Sequence, residues 1–117
     1  MAALLAALPA KGASAADVEA GKNAFARCRV CHTLAAGAGS TVGPNLHGVY
    51  GRKAGTAEGF RYSEAMKASG IVWDDDTLAH FLRDPKGTVP GNRMAFPGIS
   101  DETELQNLLA FLKQAAQ

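Results

Sequence analysis

Cys28-Arg29-Val30-Cys31-His32 is the stretch on which the reading of this 117-residue chain turns. Spaced at i, i+3 and i+4, its two thiols and one imidazole share one side of a helical turn. Two thiols so placed can add across the two vinyl groups at one edge of a porphyrin, and the adjacent imidazole can then reach the iron. The pattern predicts one haem c, covalently bound through Cys28 and Cys31, with His32 as the proximal metal ligand. Rival chemistries explain less. A zinc site needs a second ligand pair, yet the chain has two cysteines, and the other histidines, His47 and His80, are not closely spaced. A thioredoxin-like pair needs a strand-to-helix context, and no strand alternation is visible. A disulfide between Cys28 and Cys31 would leave His32 without a role.

Outward from this site the chain reads as helices joined by long loops. Asp17 to Cys28 predicts a helix, with Asp17 as N-cap and Val18, Gly21, Phe25 and Cys28 at helical spacing. The small Gly21 would let another helix approach closely. Thr33 to Gly59 is glycine-rich and aperiodic, an irregular loop of a length that a compact domain tolerates when it is functional or wraps something. Ser63 to Ser69 predicts a short helix stopped by Gly70. Asp74 to Asp84 predicts a longer one, with acidic residues at its start, an apolar face of Leu78, Phe81 and Leu82, and Pro85 at its end. A second irregular loop is expected from Lys86 to Ile99. Glu102 to Ala115 gives the clearest helix, with a capping-box-like Asp101 and Glu104 and a stripe of Leu105, Leu108, Leu109 and Leu112. The expected fold class is all-α, about four helices and two long loops wrapped around a haem, the loops held by something other than their own hydrogen bonds.

Composition narrows the function. With 47% apolar and 20% charged residues and a net charge of +1, the chain reads as a soluble globular protein without broad attraction to nucleic acid or membranes. It has no apolar run near the ~20 residues that span a bilayer. Residues 1–15 differ: an Ala- and Leu-rich stretch is followed by Ala13-Ser14-Ala15, a small-x-small cleavage pattern, although the usual preceding basic residues are missing. They read as a signal peptide or N-terminal extension, followed by a single domain over 16–117. Export would place the protein in the periplasm, which is expected ahead of the mitochondrial intermembrane space.

Electron transfer calls for a sixth iron ligand, and Met66, Met94, His47 and His80 are the candidates. Met94 is favoured because it lies in the irregular segment Pro90 to Gly98, about sixty residues from His32, where one loop could cover the other haem face. Met66 falls mid-helix, where a flexible thioether is usually a gap filler. Thioether ligation raises the reduction potential relative to two imidazoles.

Several further motifs occur in a telling order: Gly43-Pro44-Asn45-Leu46-His47-Gly48, Gly51-Arg52-Lys53-Ala54-Gly55, Trp73, Pro85-Lys86 and Pro90 to Phe96. In this order, and with Cys28 to His32, the chain resembles class I cytochromes c, both mitochondrial and of the bacterial c2 type, from about Asp17 to Gln117. The resemblance implies the small cytochrome c fold. It implies that the Pro44 carbonyl accepts a hydrogen bond from His32, that Tyr62 and Trp73 bind a buried propionate with Arg52 as its cation, and that Phe96 lines the crevice beside the ligand loop. Gly21 and Phe25 match the positions where the first helix crosses the last, against Leu108 and Phe111.

Two departures from the family pattern stand behind the methionine. Phe81 replaces a tyrosine that reaches the ligand sulfur, and Met66 replaces an asparagine. By the same resemblance the protein is no enzyme but a monomeric carrier of single electrons. Its partners would be redox complexes such as cytochrome bc1, cytochrome oxidase or a photosynthetic reaction centre, docked on Arg27, Arg29, Lys86 and Arg93 around the haem edge.

Overall fold

The computed structural model describes residues 16–117, so the stretch read as a signal peptide or extension lies outside the described residues. The described residues are all-α: α1 (Val18–Ala24), α2 (Ala26–Arg29), α3 (Glu64–Ala68), α4 (Asp75–Arg83), α5 (Pro85–Thr88) and α6 (Glu102–Ala115). Their only strand-like feature is an isolated bridge between Lys53 and Val72.

Short polar side chains start the helices. Asp17 accepts from Ala20 N–H, and Ser63 from Met66 N–H. Asp74 and Thr77 cap each other reciprocally, each side chain taking the other's backbone N–H at 2.8 Å. Asp101 accepts from Thr103 and Glu104 N–H, but the expected return bond from Glu104 is replaced by an ion pair with Arg27. The capping box expected there is therefore half-formed.

Six helical segments replace the expected four because two boundaries are finer than periodicity shows. The first helix divides at Phe25, where Cys28 N–H bonds to the Phe25 carbonyl one residue early, tightening the turn. Pro85 ends α4 as expected but also begins α5: its fixed φ suits a first helical position, and Asp84 caps Gly87 N–H. The expected loop from Lys86 thus opens with a helical turn.

The core forms where α1 crosses α6. A Cβ on Gly21 would lie 1.9 Å from the Asn107 carbonyl oxygen, so only glycine permits this approach. Beside it, Phe25 meets Phe111 with ring centroids 5.5 Å apart, and Leu105 and Leu108 are fully buried. Trp73 packs on Phe81 of α4 at 5.2 Å. Burying each such side chain contributes roughly 1.5–3 kcal/mol.

Contrary to expectation, both long loops carry ties of their own. Asn45 Nδ2 donates to Thr33 Oγ1, the Ala35 carbonyl and the Ala38 carbonyl, while its Oδ1 accepts from His47 N–H. Tyr50 donates its hydroxyl to the Leu109 carbonyl, fastening the first loop to α6. In the second loop Asn92 Nδ2 donates to the Pro85 and Val89 carbonyls, and Ile99 N–H bonds to Leu82 on α4.

Candidate haem cleft

The turn after α2 shapes the attachment site. The Cys28 carbonyl accepts from both Cys31 N–H at 3.0 Å and His32 N–H at 2.8 Å, so helical spacing persists through all five residues. The Cys31 carbonyl is then held by Gly43 N–H and the Thr41 hydroxyl, each at 2.8 Å. Cys28 and Cys31 are free, half-buried thiols. Burial pushes the Cys28 thiol up, Arg27 opposes that shift, and Cys31 adds to it.

His32 Nδ1 lies 2.8 Å from the Pro44 carbonyl oxygen. A carbonyl only accepts, so Nδ1 carries the proton and Nε2 is the bare nitrogen. Burial holds the imidazole below its ordinary pKa, against the pull of that hydrogen bond, which favours the neutral ring a metal requires. Gly43 packs flat on the ring: a Cβ there would stand 2.6 Å from Cε1.

All nine residues expected from the sequence, Cys28, Cys31, His32, Pro44, Arg52, Tyr62, Trp73, Met94 and Phe96, line a single cleft of about 440 Å³. Its remaining walls are largely apolar, with Phe25, Leu46, Val49, Leu78, Leu82 and Leu108 among them. Arg52 supplies a direct test of fit to a haem. Its Nη1 and Nη2 donate to the His47 and Asn45 carbonyls, each at 3.1 Å, whereas its buried Nε has no partner. A buried cationic donor left unpaired is costly, and a propionate carboxylate would complete it. Tyr62, whose hydroxyl accepts from Ala57 N–H at 3.1 Å, still has its own proton to give. Thiols, neutral imidazole, apolar walls and an orphaned cation together fit a haem.

Met94 and Met66 line the same cleft, as does Phe81. Met94 N–H bonds to Asn92 Oδ1 at 2.9 Å, so Asn92 organises the turn that presents the methionine. Sequence reading singled out neither Asn92, Asn45 nor the steric role of Gly43. His47 also stays outside the cleft lining, and His80 is exposed on α4.

The four cations assigned to docking separate. Arg27 and Arg93 line the cleft, while Arg29 and Lys86 do not. Arg27 is paired with Glu104 and lies 5.8 Å above the Phe96 ring, so its charge is largely answered within the chain. Arg29 lies over Phe25 at 5.5 Å, and Lys86 is exposed on α5. Among the described residues no helix is long and apolar enough to cross a membrane.

Known proteins resemble this chain in sequence and fold. The family model described as Cytochrome c matches residues 18–116. Cytochrome c2 of Blastochloris viridis is 45% identical over 102 residues, covering 87% of this chain and 80% of that one. Cytochrome c of Stellaria longipes is 45% identical, covering 86% and 94%. The solved structure of cytochrome cH from Methylobacterium extorquens superposes with a TM-score of 0.79 at 46% identity, covering 84% of this chain and 98% of that one. With Cys28 in α2, Cys31 in the turn after it and its fold shared with these relatives, the chain belongs to the cytochrome c family, electron carriers with haem c bound covalently, here through Cys28 and Cys31.

Proposed function

We propose that this protein is a soluble, monomeric, monohaem carrier that moves single electrons between membrane complexes in the periplasm, in which His32 and Met94 would hold the haem iron. The observation that carries the reading is the His32–Pro44 hydrogen bond, which leaves Nε2 as the donor nitrogen in a cleft that Met94 also lines. When bound, the haem supplies one-electron oxidation and reduction of its iron.

The chain's own residues set the conditions for that exchange. The Pro44 carbonyl holds the imidazole tautomer and strengthens His32 as a donor. Apolar walls exclude water, and Arg52 would offset the charge of a haem propionate, with Tyr62 and Trp73 beside it. His32 and Met94, if both held the iron, would leave oxygen and peroxide no place to bind it. Phe96, under Arg27, closes the side of the cleft beside the methionine loop. Arg29, Lys86 and Arg93 remain as cations for acidic faces of a bc1 complex, an oxidase or a reaction centre, with Arg27 contributing less because of Glu104.

Residues 1–15 act as the export signal, and 16–117 form the mature domain. Ala13-Ser14-Ala15 supports this as a small-x-small cleavage pattern, and Asp17, the N-cap of α1, follows two residues after it. The intact mass of the mature protein checks it. For the ligands, Met94→Ala is expected to abolish the ferric sulfur-to-iron absorption band while Met66→Leu keeps it. The reverse pattern would move the assignment to Met66.

A further inference from the structure

The segment that carries Met94 is bracketed by a repeated pair, Pro90-Gly91 and Pro97-Gly98. Both glycines have left-handed backbone, at φ 90° and 110°, yet their surroundings differ. At Gly98 an added Cβ would collide with the Arg83 carbonyl, and Ile99 N–H bonds to the Leu82 carbonyl at 2.8 Å, so this end is fixed to the backbone of α4. At Gly91 the neighbour is a single methyl group. An added Cβ would lie 3.2 Å from Cβ of Ala65, on α3. Ala65 is half-buried against the core and lies outside the cleft lining.

What otherwise holds the start of the segment is local. Asn92 bonds to Pro85, Val89 and Met94, the farthest of them seven residues away. Toward α3, the hydrogen bonding among the described residues is one long contact of 3.4 Å from Arg93 Nη2 to the Arg61 carbonyl. α3 itself has little room to retreat, because its backbone rests on Gly55. A Cβ there would stand 2.9 Å from Lys67 Cα. The helix is therefore a strut between Gly55 and Gly91, packed closely against each where no side chain intervenes.

We propose that Ala65 is a positioning residue for Met94, its methyl group seating Gly91 and thereby fixing how far the methionine segment closes over the cleft. The inference rests on Met94 as the ligand proposed above. A larger side chain at position 65 meets the Gly91 backbone in front and has the Gly55 turn behind its helix. The added volume must then push the segment outward about its fixed end at Gly98, as overpacking does wherever the neighbours cannot yield.

The test is urea titration of the haem-loaded ferric protein, following the sulfur-to-iron absorption band and the helical circular dichroism together. Ala65→Leu is expected to favour loss of the band about tenfold while the helical transition moves less. Ala65→Ser, which keeps the Cβ and adds one small atom, should match wild type. A second pair guards against a change that only weakens α3 or fails to fold. Gly91→Ala brings both a strained φ and the 3.2 Å contact, and adding Ala65→Gly removes the contact but not the strain. The double variant should therefore hold the band to a higher urea concentration than Gly91→Ala alone. The proposal is overturned if Ala65→Leu keeps the band as wild type does, if its band and helical signal fall together, or if the double variant is no firmer than Gly91→Ala. Met94→Ala separates the two readings. A band that survives it refutes the ligand, whereas a band lost in Met94→Ala but indifferent to both pairs refutes only the seat.

Discussion

The loop that serves His32 and the loop that serves Met94 are of similar irregularity but are built to different tolerances. Around His32, every element is clamped. The ring donates to Pro44, Gly43 fills the space against it, two donors hold the Cys31 carbonyl, and Asn45 ties four points of the loop together. Around Met94, one side chain does most of the holding. Asn92 accepts from Met94 N–H and donates to two carbonyls, the Arg93 contact is long, and Ala95 and Pro97 face solvent. The contrast identifies the methionine side as the one that opens first when the fold is stressed.

Three substitutions probe this contrast, and the largest effect is expected at Gly43. Gly43→Ala would force a Cβ to within 2.6 Å of the His32 ring, and displacing that ring should cost about 3 kcal/mol in urea unfolding of the haem protein. A small cost with unchanged haem spectra would show that the proximal side is looser than described. Next comes the asparagine pair. Asn45→Ala should lower global stability by about 2 kcal/mol, with the sulfur-to-iron band lost together with the fold. Asn92→Ala should cost about 1 kcal/mol globally yet release that band at a distinctly lower urea concentration. Equal behaviour of the two variants would erase the distinction between the loops.

The smallest effect lies away from both loops, at the Arg83–Glu102 pair that joins α4 to α6. Arg83, aided by Gln106, holds the Glu102 carboxyl down to about 2 from an ordinary 4.5. A depressed carboxylate stabilises the fold above its unfolded pKa, and that share is lost as pH falls through the folded value. Wild type should therefore exceed Glu102→Gln slightly and constantly above pH 4.5, with the gap closing toward pH 2. Both groups are solvent-exposed, so the difference stays small and fades with salt. Urea midpoints across acid pH check it.

Sequence reading captured what repeats or carries a named chemistry. Leu105, Leu108, Leu109 and Leu112 announce α6 by spacing alone, and Cys28 to His32 announces the cofactor. It missed what depends on backbone carbonyls meeting across the loop. Asn45 and Asn92 bond to carbonyls of residues whose identity carries no signal, so they looked like ordinary loop residues. Gly43 looked like turn punctuation, but its reason is the imidazole against it rather than its dihedral angles. Arg27 read as a docking cation because Glu104, 77 residues away, gave no local sign that it would answer the charge. Pro85 read only as a stop, since nothing nearby revealed that Asp84 would cap a new turn beyond it.

If His32 and Met94 both hold the haem iron, with the Met94 side the weaker, the reduced protein is closed to small ligands. Carbon monoxide added to the reduced protein decides this. At neutral pH the wild-type absorption spectrum is expected to stay unchanged, while Met94→Ala forms the carbon monoxide complex at once. Prompt and complete carbon monoxide binding by the wild-type protein would contradict the claim.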